Sequence, residues 1–579
     1  MLLTQSSLFC PPINFSLQKR LSLFPNNHRN ENNNRLKTSV LYNGYSYFTS
    51  PCHPLELELP NHLQADDDEP NYDDSNNAGL GIITFYEGKN IFITGATGLL
   101  GKVLVEKILR STPVGKLYLL IKAKDKEDAC ERLTHELINS DLFEYLRKKH
   151  GESYEAFLKE KLIPIVGNMC EPNLGMDSDS ADVVRKDVDI IIQSAASTTL
   201  NERYDVLMDA NMNAPQRLMR FAKTCKNLKL FAHISTAYVN GRREGVILEE
   251  PLNMGDIRRK QEKDDTNSST LPRLDIADEI NMAFKSCTSA STDYDVTKNL
   301  KRLGQERATF FGWYNAYHLT KAMGEMVLDE IRGDVPVVII RPTVIESSYK
   351  QPFPGWIQGN RVTLLFSTMN ARMFDPVITS YGKGQLPAFL GNPEVTMDII
   401  PVDMVANTTI AAMAKDGNLH NPQMNVYHVA SSDVNPLRYS DFFEYLYEHF
   451  NSNPLVESQS VSRIKYFDKF DDFSRYTREE VSRRAGLGTI GNDKEMIRKI
   501  GNRCKAKVAY AEQLCKMYEF IGFFNARFHT SNTLKLMKEM SKEEMIEFEI
   551  DAKSIDWKEY FQDVHIPGLK KHIFNGART

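Results

Sequence analysis

The stretch NIFITGATGLLGKVLVEKILR, residues 90–110, decides the fold. Ile91, Phe92 and Ile93 make a short apolar strand, and residues 103–109 carry apolar side chains at helical spacing. Between them Gly95, Gly98 and Gly101 stand in the order GxxGxxG. In a strand–turn–helix unit each has a separate task. Gly95 takes the sharp turn, Gly98 admits a pyrophosphate to the backbone, and Gly101 lets helix and strand pack closely. Phosphate then sits on the helix N-terminus, where unpaired N–H groups and the dipole favour an anion. A dinucleotide is therefore expected on Gly95, Thr97, Gly98, Leu99, Leu100 and Gly101. A purely structural glycine turn is the alternative.

Outward from this unit the pattern repeats. KLYLLIK (116–122), LIPIVGN (162–168), VDIIIQSAA (188–196), LKLFAHIST (228–236) and VPVVIIRP (335–342) are near-continuous apolar runs separated by helical stretches. Strands apolar on both faces imply a parallel sheet covered by helices on both sides, a doubly wound α/β fold. At the end of the second run stand Lys122 and Lys124, with Arg132 on the following helix. These cations suit a 2′-phosphate, so NADPH is expected; Asp125 is the residue that could instead support NAD.

The stretch FGWYNAYHLTKAMGEM (311–326) holds two equally spaced pairs, Tyr314/His318 and Tyr317/Lys321. Carbonyl reduction needs a proton on the developing alkoxide, and an ordinary tyrosine gives one up only near pH 10. A neighbouring cation is expected to lower that value. Lysine is that cation at neutral pH, whereas histidine is mostly neutral. The chemistry therefore selects Tyr317 and Lys321. Ser235 and Thr236 close an apolar strand, where open α/β sheets bind ligands. Alone such a pair is more often structural; with the YxxxK sequence it becomes a candidate for holding a substrate carbonyl.

Composition narrows the class. The 579-residue chain has 41% hydrophobic and 25% charged residues, which suits a globular protein of two or more domains. A net charge of −5 gives no reason to expect nucleic acid. Eight cysteines show no CxxC pair or metal-ligand spacing, so neither disulfides nor a metal site are expected. No apolar run is long enough for a transmembrane helix. Before residue 56 the only acidic residue is Glu31, against Lys19, Arg20, Arg29, Arg35 and Lys37, with Ser and Asn abundant. That is the composition of an organelle transit peptide, or of a plain disordered tail. The acidic stretch ADDDEPNYDDSNNAG (65–79) reads as linker, and the folded body is expected from about Gly81.

TGATGLLG, HISTAYVNG, YHLTKAMGE, IIRPTVIES, PFPGWIQGN and IIPVDMVAN, with SIDWKEYFQDVHIPGLKKHIF near the C-terminus, together resemble the fatty acyl reductases, extended short-chain dehydrogenases that form alcohols. With the leader, the chain is similar to their plastid, male-sterility-type plant branch. The resemblance implies residues 1–80 as transit peptide and linker, 81–440 as an NADPH-binding Rossmann-type reductase domain, and 441–579 as a mainly helical second domain. It implies Thr236, Tyr317 and Lys321 as the catalytic trio, with Tyr317 and Lys321 also touching cofactor and Ser235 assisting. Asn211 matches an asparagine placed behind the lysine, and Ala195 a segment lining the cofactor. Asn168 stands where relatives have an aspartate beside the adenine. Relatives typically read GWPNTYVFTK, so Tyr314, His318 and Leu319 are departures. The loss of proline is expected to alter the helix entry.

The implied reaction is two-step reduction of a long-chain acyl thioester, on CoA or acyl carrier protein, through aldehyde to primary alcohol. Peripheral membrane contact fits such a substrate. Residues 242–307, including RRKQEKDDTNSST, read mostly as exposed loop, and YEFIGFFNARF (518–528) as core or as the lining of a lipid tunnel. Two rivals stay open: a nucleotide-sugar epimerase or dehydratase sharing the glycines and YxxxK, and a non-catalytic NADPH-binding regulator.

Overall fold

Seven apolar runs pair into one wholly parallel sheet in the computed structural model of the chain, which describes residues 79–257, 273–288, 292–358, 374–419, 423–455, 461–486 and 494–574. They are β1 (Ile91–Thr94), β2 (Leu117–Ile121), β3 (Leu162–Val166), β4 (Ile190–Gln193), β5 (Leu230–Ile234), β6 (Val337–Pro342) and β7 (Met424–Val429). Their spatial order is β7-β6-β5-β4-β1-β2-β3. The chain winds outward from β1 to β3, then returns to place β4 beside β1, in register Ile91 to Ile190. The crevice at that reversal, outside the carboxyl ends of β1 and β4, is where such sheets bind ligands. Strand β7 was not expected from the sequence: MNVYHV mixes Asn425 and His428 with its apolar residues, and only its buried half reads as strand.

The leader and most of the acidic linker lie outside the described residues, as does RRKQEKDDTNSST. The described part of residues 242–307 carries more regular structure than expected. Helices Ile276–Thr288 and Asp293–Phe311 occupy most of it. Their charges are partly structural: Glu279, fully buried, accepts from Arg307 at 2.6 Å and from the Tyr204 hydroxyl at 2.9 Å. Charge density suggested a loop because nothing local reveals that one carboxylate faces inward.

Four helices matter for the site: α1 (Leu99–Ser111), α2 (Ala316–Arg332), α3 (Val402–Gly417) and α4 (Lys494–Gly522). Helices α1 and α3 pack together over one face of the sheet. Helix α2 crosses the segment around Asn211 at Gly324, where any β-carbon would collide with the Asn211 carbonyl.

C-terminal elements are laced into the sheet domain. Ala526–Phe528 pairs in parallel with Gly245–Ile247, and Lys465–Phe467 with Ala388–Leu390. PFPGWIQGN and HIPGL meet backbone to backbone. A β-carbon at Gly568 would strike the Gly355 carbonyl, and one at Gly355 would lie 2.5 Å from the Val564 carbonyl oxygen. Gly355 also has φ +76°, a conformation that favours glycine.

Gly568→Ala is therefore expected to lower stability by about 1–3 kcal/mol, because two backbones must separate. Gly501 on α4 has open space around its α-carbon. Gly501→Ala should raise stability by about 0.5–1 kcal/mol through helix propensity. Urea midpoints of the two variants against the parent check the opposite signs.

Candidate active site

The glycine turn follows β1. Gly95 adopts φ +76°, and a β-carbon there would lie 2.6 Å from the Ala195 nitrogen on the segment after β4. A β-carbon at Gly101 would collide with the Gly95 carbonyl. Gly98 caps α1, donates to the Gly95 carbonyl at 3.0 Å and is exposed at the tip of the turn. The arrangement leaves backbone, without side chains, in front of the α1 N-terminus, which suits a pyrophosphate. Gln358 donates to the Thr97 carbonyl at 3.3 Å, tying the PFPGWIQGN segment to this turn. Leu100 is buried beneath it and Leu99 half-buried.

Beyond the carboxyl ends of β2 and β3 lies a cavity of about 340 Å³, lined among others by Lys122, Lys124, Asn168 and Glu171. Both lysines lie where a 2′-phosphate could be met. Asp125 is committed elsewhere: its carboxylate accepts from the Asp128 N–H at 2.8 Å as a helix cap. Asn168 accepts from the Cys170 N–H at 3.1 Å and donates to Glu171 at 2.8 Å. Arg132 does not line the cavity. Its guanidinium donates to the Lys122 carbonyl and pairs with Glu136 at 2.8 Å, so it braces the strand end.

Helix α2 is capped by Asn315, whose side chain accepts from the His318 N–H at 3.0 Å. Tyr314 precedes the cap and lies outside the helix, so the missing proline leaves the helix entry set by Asn315. Tyr317 is half-buried and Lys321 fully buried one turn on. Lys321 Nζ donates to the Ile234 carbonyl at 2.7 Å and lies 3.4 Å from His233 Nε2. Burial lowers the Lys321 ammonium to about 8, with Glu325 pulling the other way. Burial also raises the Tyr317 hydroxyl above its ordinary value. The expected lowering of that tyrosine by its lysine is thus reversed, because the ammonium is turned to a strand carbonyl and desolvation dominates. His318 is driven by burial to about 3 and is neutral at physiological pH.

Below this pair runs a buried network that sequence reasoning missed. Glu325, one turn past Lys321, pairs with Arg341 of β6 at 2.6 Å, and both side chains are fully buried. Glu325 also accepts the Ser235 hydroxyl. Ser235 therefore anchors the end of β5, while Thr236 next to it caps the turn Ala237–Asn240, its oxygen 3.4 Å from the Tyr238 nitrogen. The signal was present as an arginine and a glutamate inside otherwise apolar runs, VVIIRP and AMGEMV. Asn211 does not reach Lys321 directly. It accepts from the Ser197 N–H at 2.9 Å and donates to the Ser197 carbonyl at 3.0 Å and the Thr320 hydroxyl at 3.3 Å, holding the loop after β4 against α2.

Tyr314 and His318 face an aromatic cluster. The Tyr238 ring stacks on His318 with centroids 5.4 Å apart, and Phe520 lies 5.2 Å from His318 and 5.3 Å from Tyr314. Phe524 and Phe528 close on Tyr238, each at 5.5 Å or less. The aromatic run 518–528 is thus core, packed on the helix that carries Tyr317.

The NAD-binding family described as male sterility protein matches residues 93–409, and a second family of the same description matches 495–576. Fatty acyl-CoA reductase 2, chloroplastic, of Arabidopsis thaliana is 47% identical, over 86% of this chain and 80% of that protein. The alcohol-forming fatty acyl-CoA reductase of Simmondsia chinensis is 35% identical over 85% and 99%. Among solved structures, the terminal R domain from the myxalamid biosynthetic pathway superposes with a TM-score of 0.52 at 16% identity, covering 85% of this chain and 92% of that one. At that identity the likeness concerns fold.

Two outcomes follow from the geometry. Lys321 keeps its charge below pH about 8 and loses it above. Any reaction needing that cation should slow as pH rises through about 8, and a pH–rate profile of Lys321→Arg should lack that inflection. Glu325→Ala leaves Arg341 buried without a counter-charge, which costs about 3–5 kcal/mol. A fall of that size in unfolding free energy, with Ser235→Ala far milder, checks it.

Proposed function

Because the chain belongs to the male sterility protein family, which includes fatty acyl-CoA reductases, we propose that it reduces long-chain fatty acyl thioesters to primary alcohols with NADPH. Residues 81–440 act as the reductase domain and 441–579 as its helical cover. The observation that carries this reading is that α2, bearing Tyr317 and Lys321, is tied through Lys321 and Glu325 to the β5 end that bears Thr236, beside a glycine turn without side chains.

The residues fit a dinucleotide. Gly95, Thr97, Gly98, Leu99, Leu100 and Gly101 would hold its pyrophosphate, Ala195 its nicotinamide side, and Lys122, Lys124 and Asn168 the adenosine end. The bound nicotinamide supplies hydride to the acyl carbon. Thr236 and Tyr317 hydroxyls donate to the acyl oxygen as negative charge develops there. The C–S bond of the thioester then breaks, the sulfur leaves as a thiolate that takes a proton from solvent, and an aldehyde remains. In a second round the aldehyde carbon would take hydride from a second nicotinamide, and Tyr317 gives its proton to the alkoxide that forms. Its raised affinity for that proton keeps it in the donating form until the alkoxide takes it.

NADPH over NADH rests on Lys122 and Lys124 together with the capping role of Asp125. A plastid address is supported by the acid-poor leader and by the chloroplastic name of the Arabidopsis relative. There acyl carrier protein would be a natural donor beside CoA. Peripheral membrane contact would suit such a substrate, and no helix among the described residues is long and apolar enough to cross a membrane.

The test incubates purified protein with NADPH and acyl-CoA or acyl carrier protein thioesters of several chain lengths and identifies products by mass spectrometry. Fatty alcohol is expected, with Tyr317→Phe slower by about 10²–10⁴-fold. Lys122→Glu should raise KM for NADPH more than for NADH. Turnover of nucleotide sugars with none of acyl thioesters, or an unchanged Tyr317→Phe variant, overturns the reading.

A further inference from the structure

Three buried side chains from distant parts of the chain converge on one point. Glu346 ends the short strand Val344–Glu346, Asp375 opens the helix Asp375–Gly382, and His565 lies in the C-terminal turn Tyr560–His565. Their exposures are 1%, 7% and 0%. One ligand atom from each lies within 4.8 Å of the other two. His565 Nε2 is 3.3 Å from Asp375 Oδ1 and 3.8 Å from Glu346 Oε2. All three atoms are buried and lack a hydrogen-bond partner.

The neighbouring atoms of the same groups are satisfied. Glu346 Oε1 accepts from the Phe374 N–H at 2.8 Å. His565 Nδ1 lies 2.8 Å from the Ser347 hydroxyl, and the Tyr560 hydroxyl donates to the Ser347 carbonyl at 2.8 Å. With its proton on Nδ1, His565 points a bare Nε2 lone pair at two carboxylate oxygens. Three acceptors then face one another in a dry site, an arrangement costly unless something positive sits between them. A single shared proton would serve one pair; a cation reaches all three.

We infer that Glu346, Asp375 and His565 form a binding site for a divalent zinc-class cation that pins the C-terminal segment to the reductase core. One imidazole nitrogen with two carboxylate oxygens is a zinc-type donor set, and bonds of about 2.0–2.2 Å around a tetrahedral ion put ligands roughly 3.3–3.5 Å apart. The two separations from His565, 3.3 and 3.8 Å, lie close to that spacing. The Ser347 hydroxyl on the far ring nitrogen can accept the Nδ1 proton, which frees Nε2 as in a ligating histidine. The site also explains why HIPGL carries a histidine: His565 stands three residues before Gly568, whose backbone meets Gly355. No sequence spacing could show it, since the three ligands lie on separate segments.

The experiment uses the full chain, stripped with a chelator, then loaded with Zn²⁺ or Co²⁺ and desalted. One equivalent per chain is expected by elemental analysis, lost in Glu346→Gln and in Asp375→Asn. Bound Co²⁺ should show tetrahedral d–d bands without the near-ultraviolet charge-transfer band of thiolate ligands, which separates this site from the cysteines. Zn²⁺ should raise the Tm of the parent and of the Tyr317→Phe variant alike, so the result is independent of catalysis. If the stripped parent takes up no metal, if a thiolate band appears, or if both folded variants keep a full equivalent, the inference is wrong. Should the variants fail to fold, the parent's stoichiometry and cobalt spectrum decide.

Discussion

Everything at the candidate active site hangs on one buried ion pair, Glu325 with Arg341. Two opposite charges with no exposure are expensive to hold apart from water, and they repay that only when geometry is fixed. Here the geometry is a fork of guanidinium on carboxylate at 2.6 Å, with the Ser235 hydroxyl on the same carboxylate. Helix α2, β6 and the end of β5 are therefore locked to one another. Lys321 and Tyr317 sit one and two turns before Glu325 on that helix, and Thr236 follows Ser235. A shift of the helix along its axis would separate the charges before it moved the tyrosine.

A second constraint acts from the C-terminal side. The backbones of Gly355 and Gly568 touch without room for a β-carbon, and Phe520, Phe524 and Phe528 close on Tyr238, Tyr314 and His318. Helix α2 is thus gripped by ions beneath and aromatics beside it. Tyr314 and His318, which depart from the pattern of relatives, are members of this packing. His318 is neutral there because burial removes its charge. Its value to the protein is a flat ring for Tyr238 to stack on.

Much of this was legible in the chain. Five of the six strands after β1, and the glycine turn that follows β1, come from apolar periodicity and from the steric freedom of glycine; the sixth, β7, escaped because polar residues interrupt it. The chemistry of a cation beside a tyrosine selected Tyr317 over Tyr314, which has equal spacing to its own partner. What could not be read was direction. Lys321 turns to the Ile234 carbonyl, Arg132 to the Lys122 carbonyl, and Asp125 to a helix N-terminus. Each is a polar side chain whose partner is a backbone group brought near only by folding.

The sequence by itself determined the doubly wound sheet, the crevice where it reverses, and the family of chemistry, because those rest on local pattern and on side-chain type. The tertiary structure alone decided the electrostatics: which carboxylates are buried, which cations face carbonyls, and that Tyr317 holds its proton more tightly than expected. Burial sets these, and burial belongs to the packed whole. Glu346, Asp375 and His565 show the same division, three ordinary residues in the chain and one acceptor cluster in space.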